Sequence, residues 1–203
     1  CKSFDGVPAL VDASLDIDQG EVHALIGQNG AGKSTLIKIL TGVYTRDSGE
    51  VVFDGKPSHI RRPREAQSSG IATIYQELNL VPMRSVTENV VMGYEPKRLG
   101  LFINWPDAHR KTRAILEQFG IDIDVTASLS SYSTAVQQLV AIARAVSLNA
   151  KLVIMDEPTS SLDATEVEVL FDVVRQLKAS GVSVLYVSHF IDELFEICDR
   201  VTT

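Results

Sequence analysis

Apolar residues in this chain fall into two alternating rhythms. Short continuous runs occur at Val22-His23-Ala24-Leu25-Ile26, Ile71-Ala72-Thr73-Ile74-Tyr75, Leu152-Val153-Ile154-Met155 and Val182-Ser183-Val184-Leu185-Tyr186-Val187. Their length and β-branched content are those of strands buried on both faces. Between them, apolar positions recur at helical spacing. Leu36, Ile37, Ile39 and Leu40 form one such set, closed by Gly42, and Val167, Leu170, Val173, Val174 and Leu177 form another within residues 165–180. Strands alternating with helices predict an α/β fold with a mostly parallel sheet covered on both faces.

The alternation breaks between about residues 85 and 149. Thr87–Met92 opens one helix. A second starts after Asn104 with Pro106 in its first turn and runs through Ile115, Leu116 and Phe119 to Gly120. A third runs from Val136 to Leu148, apolar at Leu139, Val140, Ile142, Ala143 and Val146. The organisation expected is a core from residues 1–84 and 150–203, interrupted by a helical subdomain over 85–149. The first part of the core carries an antiparallel β subdomain, with a strand over Glu50–Phe53 that ends at the Asp54-Gly55 turn. A last helix is expected from about Ile191, and Val201-Thr202-Thr203 reads as a strand. The abrupt start at Cys1 and the stop inside that strand pattern are what trimming from a longer parent protein would leave.

The most specific chemistry lies at residues 27–34, Gly27-Gln28-Asn29-Gly30-Ala31-Gly32-Lys33-Ser34, a complete G-x-x-x-x-G-K-S loop between a predicted strand and a predicted helix. Glycines let the backbone turn its N–H groups around phosphate oxygens, and the helix N-terminus adds partial positive charge. Lys33 can then reach the β- and γ-phosphates, and the Ser34 hydroxyl can bind Mg²⁺. These residues therefore predict a nucleoside triphosphate ligand.

A second constellation turns a binder into a hydrolase. Asp156 ends a buried strand on the side where open α/β sheets place ligand chemistry, and can hold Mg²⁺ opposite Ser34. Glu157 follows it and is suited to orient or deprotonate an attacking water. Gln76 and His189 end two further strands on the same side.

The net charge of −7 argues against a nucleic-acid partner, since such proteins carry a basic face; the clusters Arg61-Arg62-Arg64 and His109-Arg110-Lys111-Arg113 read as solvated surface. The two cysteines, Cys1 and Cys198, have no metal-site spacing, which fits a reduced compartment. No apolar stretch is long enough to span a bilayer.

Ordered and spaced in this way, the motifs resemble an ABC-type ATPase over essentially the whole chain. Walker A is Gly27–Ser34, the Q-loop residue is Gln76, and Walker B is Leu152–Asp156 with Glu157 behind it. The D-loop resembles Ser160-Ser161-Leu162-Asp163, and the switch histidine is His189. Phe4 matches the aromatic that stacks on adenine. The resemblance implies a P-loop NTPase with a RecA-like core and ATP and Mg²⁺ as cofactors. It implies nucleotide contacts from Phe4, Gly27, Asn29, Gly30, Ala31, Gly32, Lys33, Ser34 and Thr35. The implied metal set is Ser34, Gln76 and Asp156, and the implied catalytic roles fall to Glu157, His189 and Gln76.

One motif departs from the family pattern. The signature Leu-Ser-Gly-Gly-Gln falls on Tyr132-Ser133-Thr134-Ala135-Val136, followed by a well-matched Gln137-Gln138-Leu139-Val140-Ala141. In the family this segment touches the γ-phosphate held by an opposite ATPase domain. The resemblance implies that Ser133, Thr134, Ala135 and Asp163 face that domain, with a signature weakened by the Ala135 methyl and the loss of an amide at Val136.

The stretches Gln76–Pro82 and Glu157–Leu162 are similar to those of carbohydrate importers of the ribose, galactose and galactofuranose type, in which two ATPase domains are fused. Here the chain resembles the N-terminal one. Glu95-Pro96-Lys97-Arg98 with Phe171-Asp172 leans toward the galactofuranose type. The partners implied are a second ATPase domain, membrane permease subunits and, indirectly, a periplasmic sugar-binding protein. The implied location is peripheral, on the cytoplasmic face of the cell membrane. The rival readings are a nucleotide-binding module with little turnover alone and a non-transport member of the superfamily.

Overall fold

The computed structural model describes residues 1–28, 30–76, 79–98 and 101–203. Asn29, and Glu77 and Leu78 of the Gln76–Pro82 stretch, lie outside the described residues. The chain divides into two compact units.

The first unit comprises Cys1–Thr73, Ala150–Asp156 and Leu177–Thr203. It opens with β1 (Lys2–Phe4) and β2 (Val7–Leu10), an antiparallel hairpin. Then come β3 (Val22–Leu25), α1 (Lys33–Leu40), a small hairpin of β4 (Val52–Phe53) and β5 (Lys56–Pro57), α2 (Pro63–Ser69) and β6 (Ile71–Ile74). The second unit, Ile74–Asn149 with Glu157–Gln176, holds α3 (Val86–Val91), the hairpin β7 (Lys97–Arg98) and β8 (Phe102–Ile103), α4 (Trp105–Gln118) and α5 (Thr134–Ser147). The chain closes with β9 (Leu152–Asp156), α6 (Ala164–Ala179), β10 (Ser183–Val187), α7 (Ile191–Ile197) and β11 (Arg200–Thr202).

A five-stranded sheet runs in the order β11-β3-β10-β9-β6. The pairs β11–β3, β3–β10 and β10–β9 are all parallel. Val22, Ala24, Val153, Ile154, Met155, Val184, Leu185, Tyr186 and Val187 are wholly buried, as expected for a parallel sheet with both faces covered. Three of the continuous apolar runs therefore became its central strands, β3, β10 and β9, and the fourth became the edge strand β6. His23 is the exception inside such a run. It is buried on β3 yet paired through Nδ1 with Glu21 Oε1 at 2.9 Å and through Nε2 with Thr202 Oγ1 at 2.8 Å, so its polarity is satisfied in place.

Helix boundaries follow their caps. Ser85 and Glu88 form a reciprocal capping box at α3. Asn104 caps α4 ahead of Pro106. The helix expected from Thr165 starts at Ala164 because Asp163 Oδ1 accepts from Glu166 N at 2.9 Å while Glu166 Oε2 accepts from Asp163 N at 3.1 Å. The strand expected over Glu50–Phe53 is shorter. Only Val52 and Phe53 are strand, paired with Pro57 and Lys56; beyond them one bond remains, Ser58 N to Val51 O at 2.7 Å, while the Ser58 carbonyl accepts from Arg46 Nη2 at 3.3 Å.

Two tertiary ties hold the β1–β2 hairpin. At one, Asp47 accepts from Lys2 Nζ at 2.7 Å and from Ser3 N at 2.7 Å. The Lys2 ammonium, then the Ser3 N–H, hold the Asp47 carboxyl below the ordinary value of 3.8. At the other, a Cβ added to Gly32 would meet Leu10 Cδ2 at 2.7 Å and Ala9 O at 2.8 Å, so β2 sits directly on the third glycine of the loop before α1.

Two consequences are measurable. Gly42 closes α1 at φ +72°, and a Cβ there would lie 2.6 Å from Ile60 Cγ2 and 2.7 Å from Arg62 O. Gly42→Ala should cost about 1–3 kcal/mol in urea unfolding. Gly30→Ala, at φ +88° but with nothing within 4 Å, should cost less; equal losses would contradict this account of the packing. The second concerns acid. Because the folded Asp47 pKa is depressed, its tie to β1 is complete above 3.8 and is lost as pH falls through the lower folded value. The protection of the Ser3 amide, its exchange measured against the intrinsic rate at the same pH, should therefore hold at neutral pH and fall in acid, and Asp47→Asn should remove that step; protection indifferent to both changes would contradict the tie.

Candidate functional site

The register of the sheet places Leu25, Val187 and Asp156 in one row across β3, β10 and β9. All three strands are parallel, so this row is their common C-terminal edge. Three segments leave it: Ile26–Gly32 from β3, Ser188 and His189 from β10, and Glu157 from β9. With neighbouring strands about 4.8 Å apart, Leu25 and Asp156 stand roughly 10 Å apart across the row. The strand ends of β3, β10 and β9 are thus neighbours on one side of the sheet.

The segment from β3 wraps tightly. Gly30 and Gly32 take φ of +88° and +95°, which a residue with a Cβ adopts only under strain. Gly27 is confined differently, since a Cβ there would stand 3.0 Å from Ala31 Cβ. Ala31 N donates to Gln28 O at 3.0 Å, closing the turn. The Lys33 ammonium folds back over the loop, donating to Gly27 O at 2.5 Å and Gln28 O at 3.2 Å. Ser34 is exposed and Thr35 half-buried on the first turn of α1.

The electrostatics of that turn are unusual for this chain. α1 starts from Gly32 with no side-chain cap and no acidic residue in its first turn. By contrast α3, α4 and α5 carry side-chain caps, α6 has the Asp163–Glu166 pair, α2 has Glu65, and α7 has Asp192 and Glu193. Among the described residues α1 alone has orphan N–H groups and a lysine but no compensating oxygen of its own. Such an arrangement is suited to a multiply charged phosphate chain.

A metal bound here would need oxygen from the ligand. Among the described residues no cluster of three or more His, Cys, Asp or Glu could hold an ion by itself. The Ser34 hydroxyl and the Asp156 carboxylate fit Mg²⁺, which keeps several waters and takes one or two protein ligands plus phosphate oxygens. Burial, then the nearby Asp199 and Glu193 carboxylates, push the Cys198 thiol up to about 12.

His189 is exposed, its ring tilted at 37° against that of Phe190 with 4.1 Å between centroids. Its loop is pinned by residues that the sequence reading passed over. The Glu193 carboxylate accepts from Tyr186 OH at 3.2 Å and from Ser188 Oγ at 3.1 Å, and Ser188 Oγ accepts in turn from Phe190 N at 3.1 Å. The available signal was Glu193, one helical turn after His189. Phe4 is 38% exposed at the end of β1 and meets Tyr44 edge to face. Tyr44, an aromatic just past the Gly42 helix stop, was likewise not singled out.

The remaining predicted residues lie in the second unit. Glu157, directly after Asp156, is half-buried and has φ +49°, a strained conformation for a side chain of its size. Gln76 is exposed, two residues beyond β6. Ser133 caps α5, its Oγ accepting from Val136 N at 3.4 Å. Ser133 and Thr134 are exposed, whereas Ala135 turns its methyl into the interior at 9% exposure. Asp163 is exposed even as it caps α6.

Known proteins resemble this chain in sequence and in fold. The chain is 53% identical over 200 residues to the fructose import ATP-binding protein FruK of Bifidobacterium longum, covering 98% of this chain and 39% of that protein. It is 46% identical over 201 residues to the galactofuranose transporter ATP-binding protein YtfR of Escherichia coli, covering 99% and 40%. It is 47% identical over 202 residues to the galactose/methyl galactoside import ATP-binding protein MglA of Pasteurella multocida, covering 100% and 40%. The chain therefore spans about two fifths of the length of these curated relatives. Among solved structures, a nucleotide-free ATP-binding cassette from an ABC transporter superposes with a TM-score of 0.87 at 29% identity, over 98% of this chain and 83% of that one. The ADP conformation of the cassette MJ1267 superposes with a TM-score of 0.86 at 29% identity, over 98% and 82%. The fold is accordingly the α/β P-loop NTPase fold of these cassettes. The ABC transporter family profile matches residues 10–160, from the strand beside the phosphate loop to the segment after Glu157, and the chain belongs to that family.

Proposed function

We propose that this chain is an ATP-binding and ATP-hydrolysing domain that powers sugar import by an ABC transporter. The observation that carries the reading is the positive pole of α1, uncapped and furnished with Lys33, at the end of the segment that leaves Leu25 on the strand-end row it shares with Asp156. In this reading Gly27, Gly30, Ala31 and Gly32 direct backbone N–H groups at the phosphates, with Asn29 included by resemblance. Lys33, Ser34 and Thr35 complete the grip, and Phe4 receives the base. Mg²⁺, held by Ser34, Asp156 and Gln76 together with phosphate oxygens, would neutralise charge as it develops on the leaving group.

Glu157 acts as the base. Its carboxylate orients a water and accepts a proton as the water oxygen bonds to the γ-phosphorus. The bond from that phosphorus to the β,γ-bridging oxygen breaks, leaving ADP and phosphate. His189, steadied by the Ser188–Glu193 bonds, acts on the γ-phosphate side of the reaction. Ser133, Thr134, Ala135 and Asp163 face a second ATPase domain, fused in the parent protein.

Sugar import rests on the relatives. Proteins named for fructose, galactofuranose and galactose import share this region at 46–53% identity, so the choice of sugar belongs to other components. Among the described residues no helix is long and apolar enough to cross a membrane. Permease subunits would supply the attachment, placing the domain on the cytoplasmic face with a periplasmic binding protein acting through them.

A second reading has its own observation. Ala135 buries a methyl in the first turn of α5, where the family signature has glycine, which favours a module that binds nucleotide with little turnover alone.

Glu157→Gln should lower Mg-ATP turnover by roughly 10²–10⁴-fold and leave ATP binding nearly intact. Steady-state turnover and equilibrium binding across a range of protein concentrations test both readings. Turnover unchanged in the variant would remove Glu157 as the base, and a wild type that binds but never turns over would favour the second reading.

A further inference from the structure

The β1–β2 hairpin forms a separate two-stranded sheet, bonded to no other strand among the described residues. A lone hairpin is at best marginally stable, so its placement depends on tertiary contacts. The Gly32 contact seats β2 on the phosphate loop. The other end is held by the segment that follows α1, and there the structure does more than tether it.

Phe4 and Tyr44 pack with ring centroids 5.0 Å apart at an interplanar angle of 67°. That edge-to-face geometry suits the aromatic quadrupoles and fixes ring orientation as well as position. Tyr44 is itself fixed to α1, its N–H donating to Lys38 O at 2.9 Å and its ring lying 5.4 Å from the Lys38 ammonium. The Lys2 ammonium stands 5.3 Å from the Phe4 centroid and is held there by Asp47. α1 is therefore a strut, with the phosphate loop at one end and the brace for Phe4 just past the other.

The spacing matches a nucleotide. Lys2 pairs with Leu10, the residue beside Gly32, and Phe4 is two residues further along β1. That is about 7 Å along the strand, a span that a ribose bridges between a phosphate and a base.

We propose that Tyr44 is a positioning residue for the base of the bound nucleotide: it orients the Phe4 ring, and so sets affinity for the purine without contributing to the phosphate grip. This rests on the nucleotide reading above. Calorimetric titration of the intact chain with Mg-ATP and, separately, Mg-tripolyphosphate distinguishes the two moieties. Tyr44→Ala should weaken ATP binding roughly 3- to 10-fold, the worth of one aromatic pair, and leave tripolyphosphate binding unchanged. Tyr44→Phe should keep both affinities. Tyr44→Leu carries the same expectation as alanine and replaces it if that variant fails to fold. Unchanged ATP affinity without the ring, equal weakening of both ligands, or failure of phenylalanine to restore binding would each overturn the inference while leaving the nucleotide reading standing. A wild type that binds neither ligand would refute both.

Discussion

Helix α1 begins with unsatisfied amide groups, a lysine and a glycine in place of a cap, and the first unit is arranged around that concentration of positive charge. A side-chain cap is typically worth about 0.5–2 kcal/mol, and among the described residues the other α-helices use either a cap or a first-turn acid. At α1 that stabilisation is forgone. Lys33, which would be disfavoured at the positive end of a helix, is tolerated because its ammonium lies on the carbonyl oxygens of Gly27 and Gln28. Those are weak substitutes for a phosphate chain, and an incoming anion can claim both the ammonium and the amides.

What makes the pole useful is the sheet behind it. β3, β10 and β9 are buried along their length, and their parallel register carries Leu25, Val187 and Asp156 to a common edge. Burial of apolar side chains thus determines where the charged and polar groups emerge. Even the polar members of these strands serve the edge. Tyr186 is wholly buried, yet its hydroxyl reaches the Glu193 carboxylate that also holds Ser188, next to His189. The β1–β2 hairpin extends the same logic sideways, seated on Gly32 at one strand and tied to Asp47 and Tyr44 at the other.

Periodicity and turn chemistry made much of this visible beforehand. The four apolar runs are strands of one sheet, and the helix start after Asn104 follows from local capping chemistry, whereas α3 begins at Val86, one residue before the expected Thr87, because Ser85 and Glu88 cap it. The phosphate loop was legible because its glycines are required by backbone geometry that no other residue reproduces cheaply. What escaped was set by contacts between residues far apart in sequence. Asp47 reads as part of an Asp-Ser-Gly turn, and only the folded chain brings Lys2 and Ser3 to its carboxylate. Tyr44 reads as one more half-buried aromatic until Phe4 is set beside it. His23 lies within an apolar run; its partner Glu21 is two residues away, but the other, Thr202, comes from a strand 179 positions further on. The strand expected over Glu50–Phe53 is shorter because the Ser58 carbonyl, opposite Val51, is taken by the Arg46 guanidinium.

The most direct test of the central claim is the thermal unfolding midpoint of this chain titrated with Mg-ATP, beside Lys33→Ala. If the α1 pole binds the triphosphate, the wild-type midpoint climbs continuously with ligand, reflecting about 2.7 kcal/mol of added stability at a hundredfold excess over Kd, and the variant stays nearly flat. Midpoints that do not move in either protein, or that rise equally in both, would contradict it.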